Sequence, residues 1–585
     1  MDPMKLGSDI LVLLPVLLPM LSAALSVVLW RSRIAQRIIG VAGTFALLAA
    51  GIVLLMYIWQ AGNATGEFDP VAAVVTMEFS GFVPPFGIVL VGDLLSAIMV
   101  VMTGIMGLTV VIYSLATTGE GYEKFGYYPL MHLLHAGVAG AFLTGDIFNL
   151  YVWFEVMLVA SFALLVLGGK RAQMEGAVKY VTINLVSSMI LLTAIGLTYG
   201  LVGTLNMAHI AQIFLDNADE PMIMVLASMF IIAFGIKAGS FPMFFWLPAS
   251  YHTPPVAVSA LFAGLLTKVG AYALFRFFTL IFSPELANDG VFDAQFIHGT
   301  IMVLGGLTMI TGVLGAAAQF EFRRILSIHI ISQIGYMLMA IGFLGFTQTT
   351  DAIPVEVGQL AIAGGIYYIV HNIIVKTNLF LVSGVVFNKL GSYQLKQLGG
   401  IYRRKPFLAA LFFIPALSLA GLPPLSGFFA KFSVIRAGLE TVQGLLGVGE
   451  TTALYLVIGV VALALITGLL TLYSMVKIWM YAFWRPAPED NPNVHKLEEP
   501  DDADTWVMYT PIILLLICTV VMGVYSQPFF EVMMGAGEQM INPHYYIEAV
   551  GLHDQIYHSI QGEVPAEALE ELGEWDADDL EICKE

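Results

Sequence analysis

Runs of about 18 or more apolar residues recur along the whole chain, each long enough to cross a hydrocarbon core about 30 Å thick. A chain of this kind is a polytopic helical membrane protein, because a helix satisfies its own backbone hydrogen bonds where water does not reach. Composition agrees. Of 585 residues, 58% are hydrophobic and 12% charged, about half the charged share of a soluble domain. The first run, Ile10 to Trp30, ends in Arg31-Ser-Arg33 without a small-residue cleavage site, and reads as a retained helix rather than a secretory signal. Two cysteines, Cys518 and Cys583, are too few for an iron–sulfur cluster or a Cys-based zinc site. No phosphate-binding or dinucleotide fingerprint stands out, so no cofactor, metal centre or catalytic group is expected, and energy should come from an ion gradient or a partner.

The hydropathy pattern predicts an all-α fold with about 14 transmembrane helices. They fall near 10–30, 36–60, 88–115, 128–146, 148–168, 176–202, 222–249, 255–283, 298–318, 324–345, 361–388, 407–437, 452–483 and 506–527. Alternation along this path gathers the basic residues on one side: Arg31, Arg33 and Arg37, then Lys124, Lys170, Arg171, Arg323, Arg324, Arg403 to Lys405, and Arg485. The opposite loops, 61–87, 203–221, 284–297, 346–360 and 438–451, carry no Lys or Arg. This is the positive-inside distribution, and it puts both termini outside. The net charge of −18 gathers in loop 486–505 and in the tail from about 528, which reads as a solvated terminal helix, a disordered tail or a docking segment. Nucleic-acid binding is not expected at this charge.

Two spans look broken. One contains Lys237-Ala-Gly-Ser-Phe-Pro242, and the other Gly421-Leu-Pro423-Pro424-Leu-Ser-Gly427. Proline removes a backbone donor, so the carbonyl it frees needs a polar neighbour. The breaks lie five spans apart, each in the fourth helix of a five-span block. An odd block length inverts the second block relative to the first, as in inverted-repeat transporters. The expected organisation is therefore 1–126 with three N-terminal helices, 127–283 as the first five-helix repeat and 284–485 as the second, inverted one. An acidic loop and a last helix (486–527) and an extramembrane tail (528–585) follow.

Six ionisable residues interrupt the apolar runs: Glu155, Lys237, Lys268, His371, Lys376 and Lys431. Each costs about 2.5–3.5 kcal/mol at the centre of a bilayer helix on insertion scales. An acid followed by a series of bases suggests a proton relay, since burial brings lysine ammonium groups into the range of proton exchange. Lys237 is the expected partner of Glu155. His371 and Lys376 are five residues apart, about 140° around an ideal helix, so they need not face the same way. Lys179, Arg276, His329 and Lys477 sit nearer span ends and read as snorkelling or loop-anchoring residues. Asp93 and Asp146 open spans on the outer side, as helix caps or as the mouth of a cation path.

At these residues the chain resembles the antiporter-like family shared by Mrp-type multisubunit Na⁺/H⁺ antiporters, respiratory complex I membrane arms and membrane-bound hydrogenases. The resemblance spans roughly 85–485. It is carried by Asn149-Leu-Tyr-Val-Trp-Phe-Glu155, Lys237 to Pro248, the Lys268 segment, Ser332-Gln-Ile-Gly-Tyr336, His371 to Lys376, and Gly421 to Lys431. Within the family, the surroundings of Glu155 and a lysine at 431 look most like the D subunits of the Mrp antiporters. The resemblance implies a central hydrophilic axis of Glu155, Lys237, Lys268 and Lys431, with His371 or Lys376 linking its halves. It implies a hetero-oligomer with other membrane subunits, in a prokaryotic plasma membrane, that exchanges Na⁺ for H⁺ and is not itself an enzyme. Two other readings stay open: a proton-pumping subunit of a redox complex, and a structural subunit that keeps the charges as ion pairs.

Overall fold

The computed structural model describes residues 3–79, 84–85, 87–287, 291–488 and 491–551. The N-terminal part comprises α1 (Pro3–Val28), α2 (Arg33–Gly62), a hairpin of β1 (Val75–Glu78) and β2 (Val89–Gly92), then α3 (Leu94–Thr117) and the short α4 (Glu120–Lys124). There follow α5 (Tyr127–Leu143), α6 (Ile147–Val166), α7 (Arg171–Val202), α8 (Met207–Asp216), α9 (Met222–Ala238), α10 (Trp246–Ser250), α11 (Val256–Leu261) and α12 (Thr267–Arg276). The second half holds α13 (Ala294–Ala317), α14 (Phe322–Thr347), α15 (Val355–Leu390), α16 (Ile401–Arg404), α17 (Pro406–Ala420), α18 (Ser426–Val448) and α19 (Thr451–Ile478). Three helices complete the described chain: α20 (Ala503–Val524), α21 (Ser526–Ile541) and α22 (Pro543–Val550).

Eleven described helices are long and apolar enough to cross a bilayer. The other three expected spans correspond to the 17-residue α5 and to the two interrupted pairs, α9 with α10 and α17 with α18. The third span starts at Leu94, later than the hydropathy suggests. Residues 89–92 pair with β1 instead, and Asp93 then caps α3 by accepting from Ser96 N while Ser96 Oγ accepts from Asp93 N.

Burial separates two kinds of helix. The most apolar stretches of α14, α15 and the 256–281 span are fully buried, whereas α1, α2, α7 and α19 expose apolar faces, as lipid-facing helices do. The enclosed helices form the middle of the bundle and hold Lys268, Arg276, His329, His371 and Lys376.

The two breaks share a geometry. α9 ends at Gly239 (φ +80°) and α17 at Gly421 (φ +93°), both left-handed, where a Cβ would be strained. Three residues after each glycine comes a cis proline, Phe241–Pro242 in one case and Pro423–Pro424 in the other. The 255–283 span is also irregular, with wide π-type turns at Phe262–Leu266 and Phe277–Ile281 flanking α12.

The first part of the C-terminal segment is packed rather than solvated. Gln539 on α21 donates to Pro70 O and Ala73 O and accepts from Leu94 N. Gln348 donates to Ile541 O, and Gln359 to Met534 O. Residues beyond 551, with the acidic tail and Cys583, lie outside the described residues.

Candidate functional site

The first charge is on α6. Glu155 is half-buried and accepts a 2.5 Å hydrogen bond from Ser188 Oγ on α7. Lys237, the penultimate residue of α9, donates to the same Ser188 Oγ at 3.0 Å. One hydroxyl can do both, because it has one proton to give and lone pairs to accept with. Lys237 also sits 4.7 Å over the Phe154 ring, which lowers the cost of a buried ammonium. Glu155 and Lys237 are thus joined through Ser188 rather than as a direct ion pair. The neighbouring Ser187 donates to Ala233 O and fixes α7 against α9.

Two of the remaining bases, Lys268 and Lys431, rest on backbone oxygens that helix irregularities or helix ends leave free. Lys268, fully buried, donates to Ala263 O at 2.7 Å inside the wide turn before α12. The π-type register there removes the ordinary i−4 pairing and leaves a carbonyl available. Lys431 donates to Leu419 O and Ala420 O, both at 3.0 Å. These are the last carbonyls of α17, where the helix dipole is negative and a cation is stabilised. Lys376 points to Leu326 O on α14, at 3.4 Å. His371 turns elsewhere: its Nδ1 lies 2.9 Å from Ser426 Oγ at the start of α18. The 140° separation on α15 is therefore used to serve two neighbours.

A polar chain along α14 runs between these two groups. His329 Nδ1 is 3.4 Å from Ser332 Oγ, to which Gln333 Nε2 donates at 2.9 Å. Tyr368 OH donates to Gln333 Oε1 at 2.5 Å, and its ring stacks on Tyr336 at 4.9 Å. Lys431 then lies 5.3 Å from the Tyr336 ring. Leu326, His329, Gln333 and Tyr336 are spaced i, i+3, i+7, i+10, so they share one face of α14. That face connects the Lys376 side of the bundle to Lys431.

His329 therefore does not snorkel; it is fully enclosed within this chain. Arg276 does not snorkel either. It is buried and paired with Asp93 at 2.5 Å, beneath the rings of Tyr272 and Tyr546. The length of arginine allows snorkelling, but every residue of α12 is buried within the bundle and the guanidinium is taken up by Asp93. Asp93 is consequently both a cap and half of an ion pair, and Asp146 caps α6 by accepting from Asn149 N. Lys477 anchors a helix end by donating to Ala317 O and Gln319 O, and Lys179 pairs with Glu175 on an exposed helix face.

Buried polar atoms without a partner among the described residues also collect around these charges. They include His371 Nε2, His329 Nε2, both amide atoms of Asn372, Thr267 Oγ1 and Thr467 Oγ1. Left dry, each would cost about 1–3 kcal/mol. Internal water ordinarily supplies the missing partners, and hydrates such a region.

A bundle of enclosed and interrupted apolar helices defines a polytopic membrane subunit. The chain belongs to the NADH:quinone oxidoreductase/Mrp antiporter family, whose transmembrane model matches residues 144–456. It is 41% identical over 540 residues to the D subunit of the Na⁺/H⁺ antiporter of Alkalihalophilus pseudofirmus, covering 92% of this chain and 99% of that one. Its identity to the corresponding Na⁺/H⁺ antiporter protein of Bacillus subtilis, also a D subunit, is 36% over 539 residues, covering 92% and 99%. Among solved structures it superposes on a chain of the Mrp complex from Dietzia sp. with TM-score 0.78 and 29% identity, covering 93% and 99%. A chain of respiratory complex I from Thermus thermophilus shares the fold, with TM-score 0.69 at 22% identity over 92% and 100% of the two chains.

Proposed function

We propose that this chain is a proton-translocating subunit of a multisubunit Na⁺/H⁺ antiporter, a transporter component rather than an enzyme. Protons pass along Glu155, Lys237, Lys268, Lys376 with His371, and Lys431, and Na⁺ moves in the opposite direction. The observation that carries this reading is the Glu155–Ser188–Lys237 bridge. An acid and a base share one hydroxyl there, so a small shift of α9 at its Gly239 break changes which partner that hydroxyl serves. Further support comes from the seating of Lys268 and Lys431 on carbonyls freed by irregular helices, from the α14 chain between Lys376 and Lys431, and from the unpartnered polar atoms around them.

The matched breaks at Gly239 and Gly421 support two inverted five-helix repeats, at 127–283 and 284–485, within a 14-span topology that leaves both termini outside a prokaryotic plasma membrane. Other membrane subunits complete the assembly, as the multisubunit relatives indicate. The decisive test is Glu155→Gln in the assembled complex. Na⁺-driven pH changes in everted vesicles should vanish while the subunits still co-purify. Wild-type pH changes from that variant would refute the relay.

A further inference from the structure

Apart from the axis just described, one group of buried titratable side chains lies together on a single helix face. On α5, Tyr128, His132 and His135 are spaced i, i+4, i+7 and so lie on one face of the helix. Both imidazoles are enclosed, at 1% and 0% exposure. Nε2 of His132 and both nitrogens of His135 have no hydrogen-bond partner among the described residues. The two rings meet edge-on with centroids 6.4 Å apart.

Their place is made by close helix approach. A Cβ at Gly43 on α2 would come within 2.9 Å of His132 Cε1, and one at Gly107 on α3 within 3.1 Å of the His135 ring. Simple apolar packing would be better served here by leucine, because a buried ring nitrogen left unpaired costs about 1–3 kcal/mol. Three such nitrogens on one stripe, inside an apolar helix, therefore point to bound water and to a function.

The stripe has a defined start. Tyr128 OH donates to Glu123 at 3.3 Å, and Glu123 is itself buried and held by Arg37 at 2.7 Å and 3.2 Å. Arg37 is part-exposed at the helix end, so the cluster opens to solvent beside α4. The stripe also has a defined end. Gly107 is the contact of His135, and the adjacent Met106, about 100° around α3, accepts from Thr377 Oγ1 at 2.9 Å. Thr377 follows Lys376. The inner end of the stripe is thus one helix away from the axis. From Tyr128 to His135 the helix rises about 10 Å, which carries the path well into the apolar layer.

We propose that Tyr128, His132 and His135 form a water-assisted proton access branch, leading from the Glu123–Arg37 pair through the N-terminal helices to the Lys376 region of the axis. Imidazole suits this task because it takes a proton at one nitrogen and releases one from the other, so a completed hop leaves the ring neutral. The proposal rests on the proton-translocation reading above and adds to it where protons enter.

The test uses the assembled complex with Cys518 and Cys583 replaced by serine. His132→Cys and His135→Cys are introduced singly, and Ag⁺ is applied from the Glu123 side. Both cysteines should be blocked against later thiol labelling of the unfolded chain, which reports a hydrated path without reference to any transported ion. His135→Leu and His132→Leu should each lose most Na⁺-driven proton movement while the complex still co-purifies. Cysteines that stay unmodified in an assembled complex would overturn the proposal, and so would full transport by both leucine variants. If a leucine variant fails to assemble, the Ag⁺ result on its cysteine counterpart decides. A wild-type complex that moves no Na⁺ would overturn the antiporter reading instead, and the Ag⁺ result would still decide whether the branch is hydrated.

Discussion

Ser188→Ala is the substitution that separates a relay from a set of isolated charges. The hydroxyl gives one hydrogen bond to the Glu155 carboxylate and takes one from the Lys237 ammonium, at 2.5 Å and 3.0 Å. A hydrogen bond to a charged group is worth about 1.5–3 kcal/mol net, so the variant forfeits two bonds of that kind. A water molecule entering the space of the lost hydroxyl recovers part of this, which leaves a deficit of about 2 kcal/mol. At 1.36 kcal/mol per decade, that slows a step passing through the bridge about thirtyfold. Ser188→Thr keeps the hydroxyl and should retain most of the rate. The assay is Na⁺-driven pH change in everted vesicles carrying the complete complex, normalised to the amount of assembled subunit. Near-wild-type rates for Ser188→Ala would refute the bridge as a conducting element, and Glu155 and Lys237 would then have to communicate by another route.

Other sites make separate demands. Arg276→Met strands the buried Asp93 carboxylate, which should destabilise the protein by about 3–5 kcal/mol and show as a large fall in the melting temperature of the solubilised complex. Gly421→Ala forces an L residue to φ +93° and brings a Cβ within 2.8 Å of Lys431 Cδ. It should cost about 1–2 kcal/mol from the backbone alone, and it should impair transport more than Gly449→Ala, where the space is open. In the loop before α20, burial works against ionisation of Asp501, but hydrogen bonds from Lys405 and Lys389 outweigh it and hold the carboxyl below its ordinary value. Because the folded value is the lower one, this clasp contributes its full stability above the ordinary carboxylate pKa of about 3.9 and loses it as pH falls through the depressed value. Asp501→Asn should therefore lower the melting temperature at neutral pH and narrow the difference from wild type in acid.

Much of the molecule is legible from residue order. A charge within an apolar run is conspicuous because its cost is local to its own helix, so the six candidate residues can be named without knowing their neighbours. The breaks at Pro242 and at Pro423-Pro424 are legible for the same reason, since proline acts on its own backbone. Arg276 and His329 depart from the snorkelling expectation because position along a helix reports depth, while burial depends on which helices surround it. The packing of α21 is also hidden from the sequence, since its contacts reach back to Pro70, Ala73 and Leu94.

The connections between the charges come only from the tertiary structure. Serine and threonine in membrane helices usually bond to a carbonyl of the preceding turn, as Thr103 and Thr109 do here. Nothing in its own sequence window distinguishes Ser188, which bridges two helices because α7 crosses both α6 and α9 at that point. Tyr368 and Gln333 likewise meet because α14 and α15 run together in the enclosed centre. Sequence alone determined that charges interrupt the apolar runs and where the helices break, because those costs arise within one helix. Which charge reaches which depends on helix crossings, and crossings are set by packing between segments far apart in the chain.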